Sequence, residues 1–238
     1  MYKGKTVGVI FPTYNEQDNI LNAITSFSEH PCVDEVMVVD NNSSDLTKSL
    51  TLQTKAAYVF EPIQGYGSAS IAGLKKCKQD LLVIVEPDGT FSSSDLDLFL
   101  AYSEQYDAVF GSRTSRNLIW DNAFMPHWVR IGNWICAKEL EFLWGGPSLT
   151  DVGCTYKLFH RESIEAIQEN FTVKGSHFSP HLMIECLRKK LKIIEIPINY
   201  YSRVGNSKIT GGNNLRTIRL GVFMFFYIFI KRLKTVYV

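Results

Sequence analysis

The stretch IVEPDGTF closes an apolar run, Leu81 to Val85, with two carboxylates, Glu86 and Asp88, one residue apart. In an extended loop, side chains at that spacing can both reach one divalent cation. Coordination positions then remain for phosphate oxygens and water, the oxygen-rich and partly hydrated setting that Mg²⁺ and Mn²⁺ favour. Taken alone, the stretch reads more readily as a solvated turn, because Pro87 and the pair Asp88 and Gly89 are turn formers. What surrounds the pair decides between the two readings.

Short β-rich runs recur along the chain, at Thr6 to Phe11, Glu35 to Asp40, Ala57 to Phe60, Leu81 to Val85 and Ala108 to Gly111, and helical periodicity fills the gaps between the first four. That alternation predicts an α/β fold with a parallel sheet. In open sheets of this kind ligands collect beyond the carboxyl ends of the strands, where helix N-termini also point. The five runs end in FPTYNE, VVDNNSSD, FEPIQGYGSA, IVEPDGT and GSR, so five polar loops share one rim. Past Gly111 come Trp- and Arg-bearing segments and the strand-like KIIEIPINYYSR, expected to complete the sheet and cover the site.

Composition narrows the functions. Of 238 residues 45% are hydrophobic, enough for a sizeable core, and 25 Lys and Arg against 24 Asp and Glu leave a net charge of +1, which supplies no field to attract nucleic acid. The five cysteines form no C-x-x-C pair and read as buried thiols in a reducing compartment. The N-terminal apolar run is too short for a signal sequence, so a cytoplasmic setting is expected. His177 and His181 are four residues apart, but Pro180 lies between them and disfavours a regular helix through both. They are expected in a loop or on the acceptor side.

FPTYNE, VVDNNSSD, GYGSA, EPD, GSR, DVGCTYKLF and YYSRVGNSK, in this order and spacing, resemble the family 2 glycosyltransferases of the GT-A fold, and within them the dolichyl-phosphate mannose synthase and polyprenyl-phosphate glycosyltransferase group. The resemblance runs from about Val7 to Lys208 and implies a mostly parallel sheet flanked by helices. It also implies a domain over residues 1–212, divided into a nucleotide-sugar half (1–111) and an acceptor half (112–212).

By that resemblance Pro12, Tyr14 and Glu16 line the base and ribose of a nucleotide-diphosphate sugar, a GDP- or UDP-hexose, and Asp40, closing the second strand, holds the base or ribose, with Asn42 and Asp45 nearby. Glu86 and Asp88 take the metal-binding positions for Mg²⁺ or Mn²⁺, and Asp88 also faces the donor. Glu86 stands where Asp is usual, and Thr90 where some relatives carry an amide. Asp151 matches the acid that serves many members as general base. An acceptor phosphate needs cations rather than a base, and Arg113, Arg130, Arg203 and Lys208 are the candidates, with Arg113 and Arg203 each following a strand. Arg113, Arg203 and Asp151 are thus the expected catalytic residues. Lys157 replaces an Arg of the family pattern.

Residues 213–238 hold an apolar core, Leu220 to Ile230, between basic flanks, too short to span a bilayer and suited to an amphipathic helix lying at a membrane surface. A buried helix or a homodimer contact is the competing reading.

Together these features point to an inverting hexosyltransferase acting on a polyprenyl phosphate, attached peripherally to the cytoplasmic face of a membrane. A saccharide hydroxyl acceptor, with Asp151 as base, is the alternative, as is a non-catalytic nucleotide-sugar-binding relative. Gly65 and Gly67 admit an NAD-dependent oxidoreductase, but the third glycine of that fingerprint is Ser70.

Overall fold

The computed structural model describes residues 1–120, 122–205 and 213–236. The β-rich runs become β1 (Val7–Thr13), β2 (Glu35–Asp40), β3 (Ala57–Phe60), β4 (Leu81–Ile84) and β5 (Ala108–Ser112). Helices α1 (Ile20–Ser28), α2 (Thr47–Thr51), α3 (Tyr66–Lys76) and α4 (Leu96–Tyr102) link them. Every residue of β1, β4 and β5 is buried, as expected of strands covered on both faces by crossover helices. On one face Val9, Phe11 and Val83 pack with Ile24, Phe27 and Leu100; on the other Ile10, Val39 and Ile84 pack with Ala69 and Leu74. Each such side chain contributes about 1.5–3 kcal/mol by leaving water.

The second half adds α5 (His127–Trp144), β6 (Lys157–His160), α6 (Arg161–Glu165), α7 (Phe178–Arg188), β7 (Ile193–Pro197) and α8 (Asn214–Val236). The strand order is β3-β2-β1-β4-β6-β5-β7. Pairing is parallel throughout except at β6, which runs antiparallel between β4 and β5. This reversal positions the site. A parallel strand delivers the loop that follows it to the carboxyl rim, whereas β6 delivers the loop that precedes it, and that loop carries Asp151.

The expectation of a loop position holds for His177, in the turn before α7, and fails for His181, which lies within the helix. α7 begins at Phe178 and places Pro180 in its first turn, where a missing N–H breaks no helical bond. His181 is fully buried, its Nε2 lies 3.0 Å from the Asn170 carbonyl oxygen and its Nδ1 2.9 Å from the Tyr227 hydroxyl. Burial pushes its pKa down to about 4, so the ring is neutral and structural. The His177 ring packs edge-on against Phe223 and Tyr227. Both histidines therefore fasten α8 to the body of the protein rather than facing an acceptor.

α8 starts where Asn213 Oδ1 accepts the backbone N–H groups of Leu215 and Arg216, a side-chain cap. Its inward stripe, Leu220, Met224, Tyr227 and Ile228, joins the core beside α5 and α7, and Lys231 pairs with the buried Glu185 at 3.3 Å. No helix among the described residues is long and apolar enough to cross a membrane.

Candidate active site

Three strand ends bring acids and bases to one cleft. Beyond β4, the Asp88 Oδ1 atom accepts the backbone N–H of Thr90 at 3.0 Å and its hydroxyl at 2.5 Å, which fixes the carboxylate's rotamer. Asn19, at the start of α1, donates to the Pro87 carbonyl and pins the same loop from the other side. Thr90 thus orients Asp88. The other oxygen, Asp88 Oδ2, is buried and forms an ion pair with Arg203 Nη1 at 2.6 Å.

Arg203 reaches the cleft on the strand-like segment after β7. The Tyr201 N–H donates to the Thr90 carbonyl and the Val204 N–H to the Asp88 carbonyl, so this segment lies against the acid loop. Its guanidinium is shared: Nη2 meets Glu16 Oε1 at 2.8 Å, while Nη1 lies 3.9 Å from Glu86 Oε2. Three carboxyl groups surround one guanidinium, an oxygen-rich setting that suits a dication. Burial first, and the Asp88 charge second, push the Glu86 pKa up to about 8.

The residues fit a hard divalent ion of one kind. No three His, Cys, Asp or Glu side chains among the described residues are grouped to hold a metal by themselves. An ion at Glu86 and Asp88 would therefore complete its shell with water and phosphate, as Mg²⁺ does. Asp88 Oδ2, now paired with Arg203, is the atom positioned to contribute once that guanidinium moves.

Across the cleft, Arg113 leaves β5 and forms a two-pronged pair with Asp151, Nε to Oδ2 at 2.8 Å and Nη2 to Oδ1 at 3.0 Å. The Arg113 backbone N–H also donates to Oδ2. Burial alone would raise the Asp151 pKa, but the guanidinium outweighs it and holds the carboxyl below its usual range. The loop carrying Asp151 is in turn held by Glu195 of β7, which accepts the N–H groups of Thr150 and Asp151 and the Thr150 hydroxyl. Arg113 lies over the Tyr200 ring, its guanidinium carbon 5.3 Å from the ring centre.

A cavity of about 1130 Å³ adjoins these groups, although the buried Asp151 is not itself part of its wall. Pro12, Tyr14, Glu16, Glu86, Asp88, Arg113 and Arg203 all line it. Other expected residues stand outside its wall. Asp40 is buried and accepts the Ser43 N–H and the Tyr58 hydroxyl; Asp45 accepts the N–H groups of Gln17 and Thr47; both brace the loop after β2. Asn42 sits at φ +63°, a turn conformation Asn tolerates, and its neighbour Asn41 lines the cavity instead. Arg130, on α5, meets His127 and is not part of the wall. Lys157 is fully buried and donates to the Cys154 carbonyl and the Ser179 hydroxyl, so it supports the floor rather than serving as a cleft cation. Lys208 lies outside the described residues. Asn41 and Glu195 escaped the sequence reading: two adjacent asparagines do not declare which borders the cavity, where Asn41 Oδ1 accepts the Gly65 N–H and its Nδ2 donates to the Glu61 and Ile63 carbonyls, and nothing local marks Glu195.

The glycines of GYG have a packing cause. A Cβ on Gly67 would lie 2.3 Å from the Val173 carbonyl oxygen, and the N–H groups of Gly67 and Ser68 already donate to the carbonyls of Gly175 and Lys174. These α3 N–H groups are therefore committed, which removes the basis for a dinucleotide cradle. Gly67→Ala is expected to cost about 1–3 kcal/mol by overpacking, read as a lower urea midpoint at unchanged slope.

This fold is that of the GT-A glycosyltransferases. Glucosyl-3-phosphoglycerate synthase from Mycobacterium tuberculosis, solved in complex with Mn²⁺, uridine-diphosphate and phosphoglyceric acid, superposes with a TM-score of 0.72 over 96% of this chain and 78% of that one, at 16% identity. The same enzyme with Mg²⁺ and uridine-diphosphate gives 0.67, at 17% identity, over 94% of this chain and 79% of that one. The sequence model for glycosyl transferase family 2 matches residues 8–168, and the chain belongs to that family. Among its relatives, glycosyltransferase AglJ of Haloferax volcanii is 28% identical over 96% of this chain and 72% of its own length. The UDP-N-acetylglucosamine–dolichyl-phosphate N-acetylglucosaminyltransferase of Methanococcus voltae is 27% identical over 82% of this chain and 85% of its own.

Proposed function

We propose that this glycosyltransferase is divalent-metal-dependent and inverting, and that it moves a hexose from a GDP- or UDP-sugar to a polyprenyl phosphate at the cytoplasmic face of a membrane. The observation that carries the acceptor class is the Arg113 and Asp151 pair. A hydroxyl acceptor needs a general base, and a buried carboxylate gripped at both oxygens by a guanidinium is a poor one. A phosphate is already ionised and needs a cation to place it, which Arg113 supplies at the cavity wall. The name of the Methanococcus relative, a dolichyl-phosphate transferase, is in keeping with this choice.

In this reading Pro12, Tyr14 and Asn41 lie along the nucleoside, and Glu86 and Asp88 hold the ion. When bound, that ion supplies Lewis-acid stabilisation of charge on the leaving diphosphate. Arg203, freed from the carboxylates, follows the diphosphate oxygens. Arg113 orients the acceptor phosphate so that its oxygen attacks C1 of the sugar as the bond from C1 to the diphosphate breaks. Asp151 fixes Arg113. Residues 1–212 form the catalytic unit and 213–238 its attachment to the membrane.

Transfer of radiolabelled hexose to lipid-extracted polyprenyl phosphate, compared with soluble oligosaccharides, tests the acceptor. Label in the lipid fraction alone is expected; label in oligosaccharide alone would replace this reading with a hydroxyl acceptor.

A further inference from the structure

Most of the exposed large apolar side chains among the described residues lie on two neighbouring helices, α5 and α8. On α5, Trp128, Ile131, Ile135 and Phe142 recur at helical spacing along one outward stripe, and Phe142 is 87% exposed. α8 buries its single inward stripe and turns Val222, Phe226, Phe229 and Ile230 outward. Soluble proteins rarely leave so large an apolar surface uncovered. The cavity ends here: Trp128, Ile135, Val222 and Phe226 are both exposed and part of its wall. Its mouth therefore opens within the apolar face.

Charge selects the occupant. Residues 213–236 contain no Asp or Glu, and Arg216, Arg219 and Lys234 are exposed around the apolar face. On α5, Glu141 is paired with Lys138 and both Glu139 carboxylate oxygens are out of solvent. A second copy docked by a two-fold axis would set these basic groups against their own images and close the cavity mouth. An anionic bilayer instead complements them, accepts the aliphatic face, and suits Trp128 and Trp134 at headgroup depth.

We propose that α5 and α8 together form a docking face for an anionic lipid bilayer, and that the cavity opens through it as a lateral portal. The docking face stands on the surface alone; the portal rests on the lipid-phosphate acceptor proposed above. A membrane-held phosphate then reaches Arg113 without its chain leaving the apolar phase.

Vesicle co-sedimentation of the full chain tests this, with phosphatidylcholine alone and with phosphatidylcholine mixed with phosphatidylglycerol. Binding to the mixed vesicles is expected to be at least about tenfold tighter. Ile131→Glu combined with Trp134→Glu, outside the cavity wall on α5, is expected to weaken it by about tenfold or more, with transfer to a short-chain, water-soluble polyprenyl phosphate unchanged. Phe142→Glu is the second variant, and an unchanged melting temperature verifies that both fold. Vesicle binding insensitive to these α5 substitutions would overturn the proposal. So would a wild-type dimer that ignores vesicles and that the same substitutions dissociate. Vesicle binding as expected, with no transfer to the soluble acceptor by wild type, would uphold the docking face and sink the acceptor reading instead.

Discussion

Asp88→Asn is expected to lower metal-dependent turnover by about two to three orders of magnitude, with the fold intact. The substitution is nearly isosteric. The amide oxygen can still accept the Thr90 N–H and hydroxyl, so the loop keeps its shape. What is lost is the charge on Oδ2, the buried atom that pairs with Arg203 Nη1 at 2.6 Å. With one carboxylate fewer, the site holds a dication weakly and the leaving diphosphate is less stabilised. Initial rates over a Mn²⁺ titration, alongside thermal melts, check this. Wild-type rates in the variant at the same Mn²⁺ concentration would remove Asp88 from the metal site.

Asp151→Ala is expected to have the largest effect on stability, a loss of about 3–5 kcal/mol, because it leaves the Arg113 guanidinium buried without its counter-charge. The pair also makes stability depend on pH. The Asp151 pKa is lowered in the folded state, so its contribution is complete above the ordinary carboxylate range and is lost as pH falls through the lowered value. Urea unfolding of wild type and variant across the acid range measures this: the gap between them is expected to close as pH falls. The milder Asp151→Asn separates the two possible roles in catalysis. Transfer to a lipid phosphate is expected to fall but persist, because only the placement of Arg113 suffers. Complete loss would make Asp151 the base after all.

β1, β4 and β5 were legible because burial on both faces leaves an uninterrupted apolar run, β2 and the half-exposed β3 by their β-rich composition, and polar loops follow each run directly. The acid pair was legible for the same reason: IVEPDGTF carries its own strand end. Arg203 and Arg113 could be placed because each follows a strand.

Other features depend on contacts distant in sequence. The direction of β6 is set by the gap between β4 and β5, and nothing in KLFH states it. Lys157 opens β6 and donates to the Cys154 carbonyl and the Ser179 hydroxyl, contacts that its place in the family pattern does not state. Pro180 looked like a helix breaker and is a first-turn residue, a difference of a few positions in where α7 begins. Asp40 and Asp45 were read as ligand contacts, yet acids next to Ser, Thr and free N–H groups are as well suited to bracing a loop, and that is where their oxygens are directed. Arg130 follows the helical phase of α5 away from the cavity, a phase that the α8 contact determines.

Anomalous scattering from Mn²⁺ in crystals grown with a nucleotide-diphosphate sugar measures the ion's position directly. The expected result is one manganese within bonding distance of Glu86 and Asp88, bridged to the diphosphate, with the Arg203 guanidinium moved from the carboxylates onto phosphate oxygens. A manganese peak elsewhere in the cavity, with Arg203 still paired to Asp88 and Glu16 beside the bound donor, would contradict it.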